Sequence, residues 1–254
     1  MILTSIDGTD ITGATIDGTD VTEITVDGDV VFSAVDGLPT NNLIHRYNPK
    51  QLSVSVGSTV STLPDFVGSN DLSATGSPFR QDAINNYPSV RTDGSNDVLI
   101  GSSWSQNNWT TAFVFRARDT STNRQRYMTD GDNTGTGWIW ESENANYTFT
   151  PLGGLQNEDG AVDTSPHIVV IGYDDGAPSW NVRIDGTQVL SNNASISNPS
   201  GNYYVGAGEI NNNGGITDHA DANYGEILNY NTDHSNSYVS QIESYLSTEW
   251  NITI

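Results

Sequence analysis

The chain has 254 residues, and its 31 acids against 9 bases leave a formal net charge of -22. That charge repels phosphate backbones and anionic bilayers, and no apolar run reaches the roughly 18–20 residues of a membrane span, so no nucleic-acid partner and no membrane insertion are expected. Cysteine is absent, which rules out disulfides and thiolate metal sites.

The charge is unevenly built. Asp outnumbers Glu 23 to 8, and Lys50 is the only lysine beside eight Arg. Short hydrated carboxylates suit concentrated salt, which screens their mutual repulsion over a Debye length of about 3 Å at 1 M. An ordinary acidic secreted protein accounts for the net charge but not for one Lys against eight Arg, so the composition predicts a halophilic, haloarchaeal setting. Six Trp, eleven Tyr and six Phe argue for a folded core. The start, Met1 to Asp7, lacks the basic and apolar runs of a signal peptide.

In chain order, a repeat comes first. Ile6-Asp7-Gly8-Thr9-Asp10, Ile16-Asp17-Gly18-Thr19-Asp20 and Val26-Asp27-Gly28-Asp29-Val30 recur every ten residues, and Val35-Asp36-Gly37 is a degenerate fourth copy. Asp-Gly between β-branched residues is a strong hairpin signal. The pattern predicts a β-repeat segment over 1–37, too small to bury a core by itself and so suited to attachment or oligomerisation.

Residues 38–254 read as a second, all-β domain. Short apolar runs recur between Asn, Asp, Gly and Ser: Leu43 to Tyr47, Val98 to Ile100, Thr111 to Arg116, Gly137 to Trp140, Tyr147 to Phe149, His167 to Tyr173, Trp180 to Ile184, Tyr203 to Val205 and Tyr224 to Tyr230. The end reads as a helix, with Tyr238, Ile242, Tyr245, Leu246 and Trp250 as its apolar stripe and Ser235-Asn236 as its cap.

Four segments then carry a family likeness. They are His45-Arg46-Tyr47-Asn48, Leu63-Pro64-Asp65-Phe66-Val67-Gly68-Ser69-Asn70, Val90-Arg91-Thr92-Asp93-Gly94-Ser95-Asn96-Asp97-Val98-Leu99, and Gly225-Glu226-Ile227-Leu228-Asn229-Tyr230 ahead of the helix. In this order they resemble the concanavalin A-like, laminin-G-like jelly-roll domains of microbial and viral surface proteins, from about Leu43 to Ile254. Leu63 stands where that family usually has Trp, and Thr92 where it has Phe. The resemblance implies a two-sheet antiparallel jelly-roll sandwich with a short C-terminal helix. The repeats are similar to those opening tail-fibre proteins of tailed viruses.

Candidate chemistry is sparse. Trp138, Trp140 and Ser142 fall on one strand face, and Ile139, Glu141 and Glu143 on the other. Two glutamates on one face fit the carboxylate pair of a glycosidase, although the usual spacing of that motif is missing and a solvated acidic face is the plainer reading. Sugar binding suits the scaffold better, with Trp104 and Trp109 as stacking rings and Asn107, Asn108, Asn211, Asn212, Asn213 and Asp218 as hydroxyl partners. Candidate ligands for Ca2+ or another ion are Asp130, Asp132, Asp218, His219 and Asp221.

Together these readings predict a non-enzymatic structural protein on the virion surface of a halophilic archaeal virus: a tail fibre, spike, turret or decoration subunit. Its expected partners are other virion proteins through 1–37, a host cell-surface glycan or glycoprotein, and sister chains in a homo-oligomer, with a trimer favoured. The competing readings are a carbohydrate-binding module or adhesin of a haloarchaeon, and a glycoside hydrolase.

Overall fold

The structure is a computed structural model. It describes residues 5–6, 9–10, 15–16, 19–20, 23–26, 29–33 and 37–254, apart from 106, 121–123, 133–135, 152–156, 200 and 211–214. The chain divides into two compact units, Met1–Thr40 and Asn41–Ile254, three residues beyond the boundary expected from the repeats.

In the first unit, Ser5–Ile6 pairs with Thr9–Asp10, Thr15–Ile16 with Thr19–Asp20, and Glu23–Val26 with Asp29–Ser33, all antiparallel. These are the three hairpins expected around the Asp-Gly pairs. The degenerate copy Val35-Asp36 lies outside the described residues.

The second unit is a sandwich of two eight-stranded antiparallel sheets. The first runs in the order Phe79–Ile84, Tyr87–Asp93, Asp221–Tyr230, Trp109–Ala117, Pro166–Asp174, Ser179–Ile184 and Thr187–Asn192. The strand Leu43–Tyr47 pairs with the far end of Asp221–Tyr230, so the first strand of the unit lies against the last. The second sheet runs Asn157–Ala161, Asn146–Pro151, Thr136–Glu143, Arg124–Asp132, Asn202–Val205, Val98–Ser102, Leu72–Thr75 and Thr62–Leu63.

Alternation sends aromatic rings from both sheets into one core. Trp109 stacks on Trp138 at 5.2 Å, Phe115 meets Tyr127 at 5.1 Å, and Phe149 meets Trp180 at 4.7 Å. Leu63, where the family has Trp, is fully buried in this core. Thr92, where it has Phe, is buried too and donates its hydroxyl to the Ala220 carbonyl at 2.5 Å.

The helix Asn236–Trp250 packs on the outer face of the first sheet. Ala112, Val114, Ile168, Val170 and Leu228 are buried on this sheet, and Val239, Ile242, Leu246 and Trp250 are buried on the helix. Ser235 stands at the N-cap, but its hydroxyl meets Ser237 rather than a helix amide, so the expected side-chain cap is not formed. Asn251 ends the helix in the left-handed region at φ 51°.

One ion cluster ties helix to sheet. Glu226 is fully buried and accepts from Arg46 Nε at 2.6 Å, from the Tyr245 hydroxyl at 3.1 Å and from Trp250 Nε1 at 3.4 Å. Burial pulls the Arg46 pKa down, and Glu226 and Tyr245 more than restore it. At the helix flank Arg183 Nε meets Glu243 at 2.8 Å.

His167 is clamped between Asp185, 2.7 Å from Nδ1, and Asp163, 3.0 Å from Nε2. Burial opposes the imidazolium, but the two carboxylates outweigh it and raise the His167 pKa. A raised folded-state pKa means that the clamp stabilises fully below the unfolded value of about 6.5 and is lost as pH rises through the folded value. His167→Gln is therefore expected to melt below the wild type in mild acid, and the gap should close in thermal melts taken toward alkaline pH. A gap that stays constant with pH would contradict the clamp.

Candidate functional site

A strand of the first sheet and two segments of the second border an open depression of about 330 Å³, lined by Ile44, His45, Ser69, Asn70, Ser102, Ser103 and Trp104. Its position follows from local structure. Ile44 and His45 come from the strand Leu43–Tyr47, Ser69 and Asn70 from the loop after Thr62–Leu63, and Ser102 to Trp104 from the end of Val98–Ser102.

Asp65 organises the wall. Its Oδ1 accepts the main-chain N–H groups of Arg46 at 3.0 Å, Val67 at 3.1 Å and Gly68 at 2.9 Å; its Oδ2 accepts that of Asn70 at 3.1 Å. His45 Nδ1 lies 2.6 Å from the same Oδ2. Burial alone pushes this carboxyl up, but the amides of Gly68 and Arg46, the His45 ring and the Asn70 amide together hold it below the usual carboxylate range. An ionised Asp65 fixes the proton on Nδ1 and leaves Nε2 as the ring nitrogen open to a ligand.

Asn70 stitches the wall to the opposite loop. Its Nδ2 donates to the Ser102 carbonyl and its Oδ1 accepts the Ser102 N–H, both at 2.8 Å. The Tyr47 hydroxyl donates to the Asn70 carbonyl at 2.8 Å. The same turn shows Phe66 and Val67 to solvent, 39% and 48% exposed.

Among the described residues expected to bind sugar, only Trp104 lines this depression. It is 8% exposed and meets Trp109 and Tyr203 edge to face at 5.9 and 6.2 Å, so it offers an edge rather than a stacking face. Trp109 is a core residue with its face covered by Trp138, which corrects the expectation that it stacks on a ligand. Asn107 and Asn108 are exposed, but the Asn107 main-chain N–H donates to Asn198 Oδ1 at 3.1 Å, its Oδ1 accepts from Asn198 Nδ2 at 3.5 Å, and Asn108 Oδ1 accepts the Asp175 N–H at 2.7 Å. Asn211, Asn212 and Asn213 lie outside the described residues.

The expected metal ligands separate as well. Asp130 is fully buried and accepts from the Ser105 N–H at 2.8 Å and the Ser105 hydroxyl at 2.5 Å. Burial raises its pKa to about 6 against the pull of those bonds. It is an internal staple of the loop that carries Trp104. The Asp132 side chain lies outside the described residues. Asp218 lies 3.3 Å from Arg126 Nε and 3.7 Å from Arg124 Nε, Asp221 faces Arg91 and Arg118, and His219 meets the Asp97 carbonyl at 3.2 Å. Among the described residues, no three His, Asp or Glu converge as a metal would require.

Glu141 is neither solvated nor set in a cleft. It is fully buried, accepts from Arg124 at 2.9 and 3.2 Å and from Thr150 at 3.1 Å, and lies 3.5 Å from Arg126.

No family model matches the sequence, and no curated protein matches it. Solved structures do resemble the fold. Trypanosoma rangeli sialidase in complex with sialic acid superposes with a TM-score of 0.62 at 12% identity, covering 90% of this chain and 36% of that one. The same enzyme with 2,3-difluorosialic acid gives 0.62 at 13%, covering 98% and 37%. The botulinum neurotoxin serotype D binding domain gives 0.59 at 11%, covering 80% and 52%. The chain thus spans about a third of the sialidase and half of the toxin chain, and these likenesses show a β-sandwich fold.

Proposed function

We propose that residues 41–254 form a non-enzymatic glycan-binding module whose sugar site is the depression around His45, Asn70 and Trp104. The observation that carries this reading is the depression itself. It is open, sits at the low end of the volume range of small-ligand pockets, and surrounds one indole edge with serine, amide and imidazole groups. Hydroxyl-rich ligands need this mixture of apolar floor and fixed polar walls. Support also comes from the β-sandwich shared with a sialidase solved with sialic acid. The wider setting, a subunit on the outer surface of a halophilic virus, rests on the acid-rich composition and the repeat segment.

Binding of immobilised neutral and acidic glycans by the full chain in concentrated NaCl tests the site. His45→Ala, checked for fold by thermal melts, is expected to weaken binding at least tenfold, about 1.4 kcal/mol. A wild type that binds none of the glycans, or a folded variant that binds as well as it does, would sink the reading. Immunogold labelling of purified particles tests the setting separately.

A further inference from the structure

Three of the nine cationic side chains stand together on the outer face of the first sheet. Arg91 pairs across strands with Asn223, and Asn223 with Arg116. Their neighbours Val90, Tyr224 and Phe115 face the core, so Arg91, Asn223 and Arg116 share the opposite face. Arg118 follows two residues after Arg116, its main-chain N–H on the Asp221 carbonyl at 2.9 Å.

The charges on this face do not balance. Asp221 takes Arg91 through both oxygens, at 3.2 and 3.4 Å, and Arg118 Nε lies 3.7 Å away with no hydrogen-bond partner among the described residues. Arg116 is held by the carbonyls of Thr164 at 2.7 Å and Ala83 at 3.0 Å, and among the described residues no carboxylate pairs with it. Asp93, opposite Asp221, spends Oδ1 on the amides of Ser95 and Asn96. Burial and the charges of Arg91 and Arg116 hold the Arg118 pKa below the usual arginine value, and Asp221 does not make up the difference. Placing like charges together costs Coulomb energy unless an anion lies among them.

The floor is fixed. Asn223 is fully buried, donates Nδ2 to Gln81 Oε1 and to the Ser89 hydroxyl at 3.2 Å each, and accepts from Arg118 at 3.4 Å. Planar guanidinium forks match carboxylate and sulfate oxygens. Arg91 and Arg116 are two strand spacings apart, roughly 10 Å, which suits isolated charged groups.

We infer that the Arg91–Arg116–Arg118 row is an oxyanion site that takes the carboxylate or sulfate groups of an acidic polysaccharide. It is separate from the His45 depression. Asn223 and Asn229, the strand partner of His45, are six residues apart on one strand, roughly 20 Å, so the two sites can fail independently.

Calorimetric titration of the full chain with polygalacturonate, dextran sulfate and neutral dextran tests the row. At least one acidic polymer should bind more tightly than dextran, and which one identifies the preferred oxyanion. Arg118→Gln should weaken that binding at least tenfold. Lys50→Gln removes the same charge from a side chain seated over Tyr87 and Trp250, and should leave binding within twofold. If Arg118→Gln fails to fold, Arg116→Gln, which leaves Asp221 paired, carries the same expectation. Equal affinity for all three polymers, or equal weakening by the Arg and Lys variants, would overturn the site. His45→Ala should leave polyanion binding unchanged.

Discussion

Glu226→Ala is expected to destabilise the sandwich by about 3–5 kcal/mol, the cost of leaving a buried charge without its partner. At a few degrees per kcal/mol for a chain of this size, the melting temperature should fall by roughly 6–20 °C. The reason is local. Arg46, only 7% exposed, loses the carboxylate that holds its Nε at 2.6 Å, and Tyr245 and Trp250 lose the acceptor that anchors the helix. Removing both charges with Arg46→Met and Glu226→Leu should recover much of the loss, because apolar replacement of a whole buried pair is often close to neutral. A Glu226→Ala melt within a degree or two of the wild type would refute this account of the helix anchor.

Asp65→Ala is expected to cost on the order of 3 kcal/mol and to remove the proposed glycan binding with it, because four main-chain N–H groups and His45 lose one anionic acceptor together. The carboxyl is held below its usual range. Its contribution is therefore complete above the unfolded value of about 3.9 and is lost as pH falls through the lower folded value. Urea unfolding at neutral pH should show the full gap between variant and wild type, narrowing only in strong acid. A gap that persists unchanged there would assign the loss to packing rather than to charge.

Much of the fold was legible in the sequence because its signals are local. The strand Leu43–Tyr47 was bounded to the residue, and the alternation from Trp138 to Glu143 put the two tryptophans on one face and Glu141 on the other, although the solvated face expected for Glu141 is buried. The strand Arg124–Asp132 was missed, since Arg124 and Arg126 interrupt its apolar pattern, and Arg126 is buried only against Glu141 on the next strand and Asp218 from a distant part of the chain. The candidate site was harder to read for the same reason. His45 and Asp65–Asn70 were singled out as family motif residues, yet nothing in their order says that Ser102 to Trp104 close the depression across from them. Trp109 looked like a loop ring because it follows two asparagines, but it opens a central strand. A sequence shows residue type, whereas exposure is decided by which strands become neighbours.

The pairing of Leu43–Tyr47 with Asp221–Tyr230 also bears on how the chain is made. The contact between Arg46 and Glu226 spans 180 residues. The strand it joins sits between Tyr87–Asp93 and Trp109–Ala117 and is the last strand of the two sheets to be synthesised. Hairpins at the N-terminus, with pairings only a few residues apart, can close during synthesis, whereas the first sheet must wait for its middle. Long-range β pairing of this kind is slow and leaves strand edges unpaired meanwhile. A nascent chain truncated before Asp221 therefore has two half-sheets and no seam to join them.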